Sequence, residues 1–151
     1  MKKQLVSFVI PCYRSAATIG SVVEEIEAAM SALERYEYEV ILVNDCSPDD
    51  TFGKIRELCR KDKRITGVNL ARNFGQHAAL MAGFHQVKGD ILVCLDDDGQ
   101  TPADEVGKLC SNIFECQGPK KFKFVRSSLR LPRTKRWAQG LETWQKAALL
   151  G

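Results

Sequence analysis

Three consecutive aspartates, Asp96, Asp97 and Asp98, follow the apolar run 91–95 and could hold a cation. Like charges this close together repel one another, so the cluster favours a bound cation or several hydrogen-bond donors nearby. Alternation along an extended strand places Asp96 and Asp98 on one face and Asp97 on the other. Two carboxylates on one face suit a hard divalent ion that also holds a diphosphate.

The elements that must position these aspartates alternate between strands and helices. Strands are predicted at 5–11, 39–43, 65–70 and 90–95. Helices, with apolar residues at helical spacing, are predicted at 19–33, 52–59, 76–87 and 103–114. This alternation predicts an α/β fold, in which a mostly parallel sheet is flanked by helices on both faces.

Each predicted strand ends in polar or turn-forming residues, and parallel strands bring such ends to one edge, where ligands bind. The four clusters are Pro11-Cys12-Tyr13, Asp45-Cys46-Ser47, Arg72-Asn73-Phe74-Gly75 and Asp96-Asp97-Asp98. Tyr13 could stack on a flat base, Asp45 could accept hydrogen bonds from a base or ribose, and Arg72 could pair with phosphate or with the aspartates. The competing interpretations are a turn tyrosine, a helix cap at Asp45 and a surface ion pair at Arg72.

The composition of the 151-residue chain is that of one globular domain, with 44% hydrophobic and 27% charged residues. Its apolar runs are too short to span a bilayer, and the residues before the first strand do not form a signal peptide, so we expect a cytoplasmic chain. The six cysteines include no C-x-x-C pair, which favours reduced, mostly buried thiols. His77 and His85 lie about two helical turns apart and do not form a credible metal pair.

Charge divides the chain into residues 1–116 and 117–151. The first part carries 13 Lys+Arg and 18 Asp+Glu, and the second carries 9 and 1. We therefore predict a domain over 1–116 and a basic tail over 117–151. One helical face of the tail is apolar: Trp137, Leu141, Trp144 and Ala148. Three interpretations stay open, namely a poorly ordered solvated tail, an amphipathic helix on an anionic membrane surface, and sequence foreign to the domain, as after a frameshift.

Four segments of the chain, in the correct order, resemble the motifs of family-2 glycosyltransferases of the GT-A fold. They are Val9-Ile10-Pro11-Cys12-Tyr13, Val43-Asn44-Asp45-Cys46-Ser47, the run from Leu70 to Phe84, and Asp96-Asp97-Asp98-Gly99-Gln100-Thr101-Pro102. The resemblance is strongest to polyprenyl-phosphate glycosyltransferases, which include dolichol-phosphate mannose synthases and undecaprenyl-phosphate aminoarabinose-type transferases. It implies a Rossmann-like GT-A nucleotide-binding half, followed here by the basic tail.

The activity that the resemblance implies is transfer of a sugar from a UDP- or GDP-type donor to a polyprenyl phosphate, by metal-dependent inverting displacement. The family motif D-x-D-x-Q corresponds to residues 96–100, so Asp96, Asp98 and Gln100 would surround a Mg²⁺ or Mn²⁺ ion. Such an enzyme works at the cytoplasmic face of a membrane, and no nucleic acid is expected as a partner. In the family the metal stabilises the leaving nucleoside diphosphate.

The resemblance also assigns roles outside the metal motif. Pro11, Tyr13 and Asp45 would line the base and ribose, Asp96 would also contact the nucleotide, and Arg72 would order the site beside them. Asp98 and Arg72 would serve catalysis.

The chain departs from the family pattern in two respects. The usual P-x-Y-N-E reads Pro11-Cys12-Tyr13-Arg14-Ser15, without the carboxylate that assists nucleotide binding. Family catalytic domains are also longer, and their later half builds the acceptor site. Two alternative functions therefore stay open, namely a non-catalytic nucleotide-binding remnant and a receiver-type signalling domain whose acidic cluster holds Mg²⁺.

Overall fold

The structure, a computed structural model, describes residues 3–95 and the backbone of residues 123–127. Strands and helices alternate in it as the sequence predicts. The elements are β1 (Gln4–Cys12), α1 (Ile19–Ser31), β2 (Tyr36–Asn44), α2 (Thr51–Lys61), β3 (Ile65–Asn69), α3 (Gln76–Phe84), β4 (Ile91–Leu95) and β5 (Lys123–Ser127). The predicted helix at 103–114 and the apolar face at 137–148 lie outside the described residues.

The five described strands form one sheet in the order β3-β2-β1-β4-β5, and every neighbouring pair is parallel. The chain first builds outward from β1 to β2 and β3, and then returns to place β4 on the other side of β1. The strand order therefore reverses between β1 and β4. In open α/β sheets, ligands bind in the crevice outside the carboxyl ends of the strands at such a reversal.

Both faces of the central strands are buried, which explains why β1, β2 and β4 are apolar runs rather than alternating patterns. On one face Phe8 and Ile10 pack with residues of α1 and α2. On the other face Val9 and Val43 pack with α3. Helices α1 and α2 thus cover one side of the sheet and α3 covers the other.

Strand β5 (Lys123–Ser127) is a correction to the sequence analysis, which expected a tail or a helix in this segment. It pairs in register with β4, from Ile91 opposite Lys123 to Leu95 opposite Ser127. A buried strand such as β4 needs partners for its main-chain groups on both sides, and β5 supplies them on the side away from β1. The composition of residues 117–151 did not predict this strand, because five residues contribute little to an average that basic residues dominate.

Two further features of the described part of the chain concern its helices and its cysteines. None of its helices has the length and apolar character needed to cross a bilayer. Its four cysteines are thiols rather than disulfides: Cys12 and Cys94 are buried, Cys59 is half-buried and Cys46 is exposed. Burial raises the pKa of Cys59.

Candidate functional site

The loops that leave the carboxyl ends of β1, β2 and β3 contain the residues of the described chain that have a positive φ. Arg14 after β1 and Cys46 after β2 adopt left-handed backbone conformations, with φ of 54° and 52°, and Gly75 before α3 has φ of 94°. The left-handed conformation costs a residue with a side chain about 1–2 kcal/mol. The surrounding hydrogen bonds must therefore hold Arg14 and Cys46 in place, which fixes the geometry of this edge.

Asp45 joins the loop after β2 to the loop before α3. Its side chain is almost fully buried, at 4% exposure. Its two carboxylate oxygens accept hydrogen bonds from the main-chain N–H groups of Phe74 at 2.9 Å and Gly75 at 3.0 Å, and its own N–H donates to the carbonyl of Cys12 at 3.0 Å. The carboxylate thus binds the entry to α3 instead of capping α2, and its remaining lone pairs can still accept from a ligand.

Two arginine–aromatic pairs lie exposed along the same edge. The Arg14 guanidinium carbon lies 5.5 Å from the centroid of the Tyr13 ring, and that of Arg72 lies 4.9 Å from the Phe74 ring. Tyr13 and Phe74 are 42% and 51% exposed. Neither arginine forms a salt bridge within the described residues. This edge therefore offers aromatic faces and positive charge, which suit a flat base and a phosphate.

The segment 13–16, called here the Tyr13 loop, is held by a polar cluster in the loop after β2. The N–H of Arg14 donates to Ser47 Oγ at 2.8 Å, the N–H of Ser15 donates to Thr51 Oγ1 at 2.9 Å, and that of Ala16 donates to Asp49 Oδ2 at 3.3 Å. The hydroxyls of Ser47 and Thr51 both donate to Asp49 Oδ1. These two hydroxyl hydrogen bonds lower the pKa of Asp49 to about 2.

The low pKa of Asp49 predicts a pH dependence of stability. The pKa is lowered from its ordinary value of 3.8 to about 2 in the folded chain. The stabilisation is therefore fully present above about pH 4 and is lost as the pH falls toward 2. Urea unfolding should show that Asp49→Asn is less stable than the native chain at neutral pH, and that this difference shrinks below pH 4. A difference that stays constant down to pH 2 would contradict the assignment.

The sequence analysis missed the parts of this edge that depend on contacts between loops. Asn44 at the end of β2 donates from Nδ2 to Oδ1 of Asn69 at the end of β3, at 2.8 Å, and its own Oδ1 accepts from the N–H of Ser47 at 3.1 Å. An asparagine at the end of each of two neighbouring strands is a signal that could have predicted this pair, since parallel register brings Asn44 opposite Asn69.

The predicted metal ligands Asp96, Asp98 and Gln100 lie outside the described residues. Within residues 3–95 and 123–127, no three His, Cys, Asp or Glu side chains are grouped as metal ligands. Strand β4 ends at Leu95 beside β1, where the strand order reverses, and Asp96 is the next residue in the sequence. Carboxylate and amide oxygens are donors that fit Mg²⁺ or Mn²⁺.

The comparisons with known proteins agree with this arrangement. Residues 7–116 match the model of a family described as Glycosyl transferase family 2. The chain is 37% identical over 139 residues to the undecaprenyl-phosphate 4-deoxy-4-formamido-L-arabinose transferase of Pseudomonas syringae pv. syringae, and the alignment covers 91% of this chain and 40% of that protein. The family match decides against the receiver-type alternative.

Two solved structures share the fold. TarS 1-349 of S. aureus in complex with UDP has a TM-score of 0.60 at 24% identity and covers 76% of this chain and 32% of its own. The mannosyltransferase PcManGT from Pyrobaculum calidifontis, in complex with GDP-Man and Mn²⁺, has a TM-score of 0.57 at 23% identity. That match covers 65% of this chain and 28% of PcManGT. The predicted Rossmann-like GT-A fold is confirmed.

The extent of the matches bears on the segment after residue 116. The alignment with the Pseudomonas syringae protein covers 91% of 151 residues and so extends into 117–151, whereas the alignment with the corresponding transferase of Pseudomonas fluorescens covers 70% of this chain. The chain spans less than half the length of the curated relatives that it matches.

Proposed function

Because the chain belongs to glycosyltransferase family 2, we propose that it forms the nucleotide-sugar-binding part of an enzyme that transfers a sugar from a nucleotide-diphosphate donor to a polyprenyl phosphate. One observation carries the proposal: the loops after β1, β2 and β3 bring Tyr13, Asp45 and Arg72 to one edge of a parallel sheet, beside the reversal between β1 and β4. Strand β4 ends at Leu95, and Asp96-Asp97-Asp98 are the next residues in the sequence.

Three side chains of this edge divide the donor between them. The Tyr13 ring stacks on the base, since it is exposed, whereas Pro11, two residues earlier in β1, is buried. Asp45 sits between the two loops and uses its remaining lone pairs for the base or ribose. Arg72, which has no carboxylate partner among the described residues, contacts the diphosphate or orders the site.

Asp96, Asp98 and Gln100 would hold the divalent ion, Mg²⁺ or Mn²⁺. When bound, this ion supplies Lewis-acid stabilisation of the leaving nucleoside diphosphate. Asp98 and Arg72 would assist departure of the nucleotide by fixing its charge in one orientation. An acceptor phosphate is already anionic, so displacement with inversion needs no strong general base.

Two lines of support concern the substrates. The fold neighbours were solved with UDP and with GDP-Man and Mn²⁺, which supports a UDP- or GDP-type donor. The aligned relative is named an undecaprenyl-phosphate 4-deoxy-4-formamido-L-arabinose transferase, which supports a lipid-phosphate acceptor. The basic residues of 117–151 would favour an anionic membrane surface.

Calorimetric titration with UDP and with GDP, each with and without Mn²⁺, tests the proposal. We expect one nucleotide to bind more tightly, by about tenfold or more, when Mn²⁺ is present. The absence of metal-enhanced binding of either nucleotide would refute the donor site.

A non-catalytic nucleotide-binding remnant is the second candidate, because the segment Pro11-Cys12-Tyr13-Arg14-Ser15 lacks the carboxylate of the family pattern. It predicts metal-enhanced nucleotide binding without sugar transfer. Incubation of the chain with a radiolabelled nucleotide sugar, Mn²⁺ and a short polyprenyl phosphate separates the two, since only the enzyme moves label into the lipid fraction.

A further inference from the structure

The distances in the polar cluster of Ser47, Asp49 and Thr51 favour one arrangement of protons. Thr51 Oγ1 lies 2.5 Å from Asp49 Oδ1 but 3.3 Å from Ser47 Oγ, so the carboxylate is its better acceptor. Ser47 and Thr51 each have one hydroxyl proton, and both are then directed to Asp49 Oδ1. Each hydroxyl oxygen then presents only lone pairs to the Tyr13 loop. Those lone pairs accept the main-chain N–H groups of Arg14 and Ser15, at 2.8 Å and 2.9 Å.

We propose that Asp49 is a positioning residue for the nucleotide: it orients the hydroxyls of Ser47 and Thr51 so that they fix the Tyr13 loop. This inference rests on the proposed function, since Tyr13 is the residue assigned to the base. It adds a residue that contacts no nucleotide itself and acts through the main chain of another loop.

Burial and charge make the arrangement hard to replace. Thr51 is fully buried and Ser15 is 1% exposed, so water has little access to the hydrogen bond between them. A buried N–H that loses its acceptor pays the full cost of desolvation. The carboxylate accepts hydrogen bonds only, so one oxygen can take both hydroxyl protons while the other accepts the N–H of Ala16.

An asparagine at position 49 cannot reproduce this arrangement. If its amide oxygen takes the place of Oδ1, its NH₂ group faces the N–H of Ala16. In the native chain this N–H donates to Asp49 Oδ2. If the amide is reversed, the NH₂ group faces the two hydroxyls and the N–H of Thr51, which lies 3.2 Å from Oδ1. In both orientations a donor meets a donor, so the Tyr13 loop should lose part of its support.

The experiment compares Asp49→Asn with Asp50→Asn in the full chain. Asp50 is the adjacent carboxylate and forms no side-chain cap hydrogen bond to α2, so it is a matched control. Amide hydrogen exchange by NMR is expected to be at least about tenfold faster at Arg14, Ser15 and Ala16 in Asp49→Asn, and unchanged in Asp50→Asn. The Kd of the nucleotide in Mn²⁺ should rise about tenfold in Asp49→Asn alone.

A second pair of variants keeps the test valid if Asp49→Asn does not fold. Thr51→Val removes the hydroxyl and keeps the shape, whereas Thr51→Ser keeps the hydroxyl. Thr51→Val is expected to behave like Asp49→Asn, and Thr51→Ser should retain native exchange at Ser15 and native nucleotide affinity.

The outcomes separate this inference from the proposed function. Native exchange at 14–16 in Asp49→Asn and in Thr51→Val would overturn the inference. Faster exchange with native nucleotide affinity would overturn the positioning role. If the native chain binds neither nucleotide, the proposed function is wrong, and so is the role of Asp49 in nucleotide binding. The exchange data alone then decide whether Asp49 fixes the Tyr13 loop.

Discussion

Replacing Asp98 with asparagine is expected to abolish metal-enhanced nucleotide binding while leaving the fold intact. The change removes one negative charge and one anionic oxygen from the proposed ligand set of Asp96, Asp98 and Gln100. Loss of a group that only supports a metal ligand already costs 10–100-fold in affinity, so loss of a ligand should cost about 100-fold or more. Titration of UDP or GDP with increasing Mn²⁺ measures this directly.

Asp97→Asn is the matched control, because it removes the same charge from a residue that strand alternation directs to the opposite face. It should retain most of the metal enhancement. Without metal, both variants relieve repulsion within the aspartate run, so their thermal unfolding should occur at or slightly above the native temperature. Equal loss of metal enhancement in the two variants would show that total charge, rather than the assigned ligand, holds the ion.

Much of the fold could be predicted from sequence because the pattern of apolar residues is strong and local. The continuous apolar run of β1 and the helical spacing of α1 each identify an element without reference to the rest of the chain. Strand β5 could not be predicted in this way, since its five residues gain their partner only when β4 presents a free edge. Its existence depends on a contact with residues about thirty positions away in sequence.

Less of the candidate site than of the fold could be predicted from the sequence. Strand order alone places Tyr13, Asp45 and Arg72 at one edge, because parallel strands have their carboxyl ends on the same side. The distant main-chain partners of Asp45 and Asp49 lie in other loops: Phe74 and Gly75 are 29 and 30 residues from Asp45, and Ala16 is 33 residues from Asp49. Side-chain to main-chain bonds of this kind leave no periodic signal, so a local reading assigns such residues to turns and caps.

Helix α3 sets the position of residues 70–75, called here the Arg72 loop, and one glycine sets the position of α3. Gly83 is buried where α3 crosses the sheet. A Cβ built at this position would overlap Val9 Cγ1 and lie 3.1 Å from Val43 Cγ2. Both contacts are to β-branched side chains in the middle of the sheet, which have little freedom to move. The close approach of α3 to β1 and β2 therefore requires glycine here.

Gly83→Ala is accordingly expected to destabilise the chain by about 1–2 kcal/mol, because overpacking costs about 1–3 kcal/mol and better helix propensity returns up to about 1 kcal/mol. Gly20→Ala in α1 is the matched control, since its Cβ would meet only Lys54 Cε, the far end of a flexible side chain, at 3.4 Å. That variant should be more stable than the native chain by about 0.5–1 kcal/mol. Urea unfolding of the two variants should therefore place them on opposite sides of the native chain.

The effect of Gly83→Ala should also reach the site. Gly75 at the start of α3 and Phe74 before it donate to the Asp45 carboxylate, so outward movement of α3 lengthens those two hydrogen bonds. We expect amide exchange at Phe74 and Gly75 to be faster in Gly83→Ala than in the native chain, and unchanged in Gly20→Ala. Native stability together with native exchange in Gly83→Ala would mean that α3 can shift along the sheet without strain, and that Asp45 alone holds the Arg72 loop.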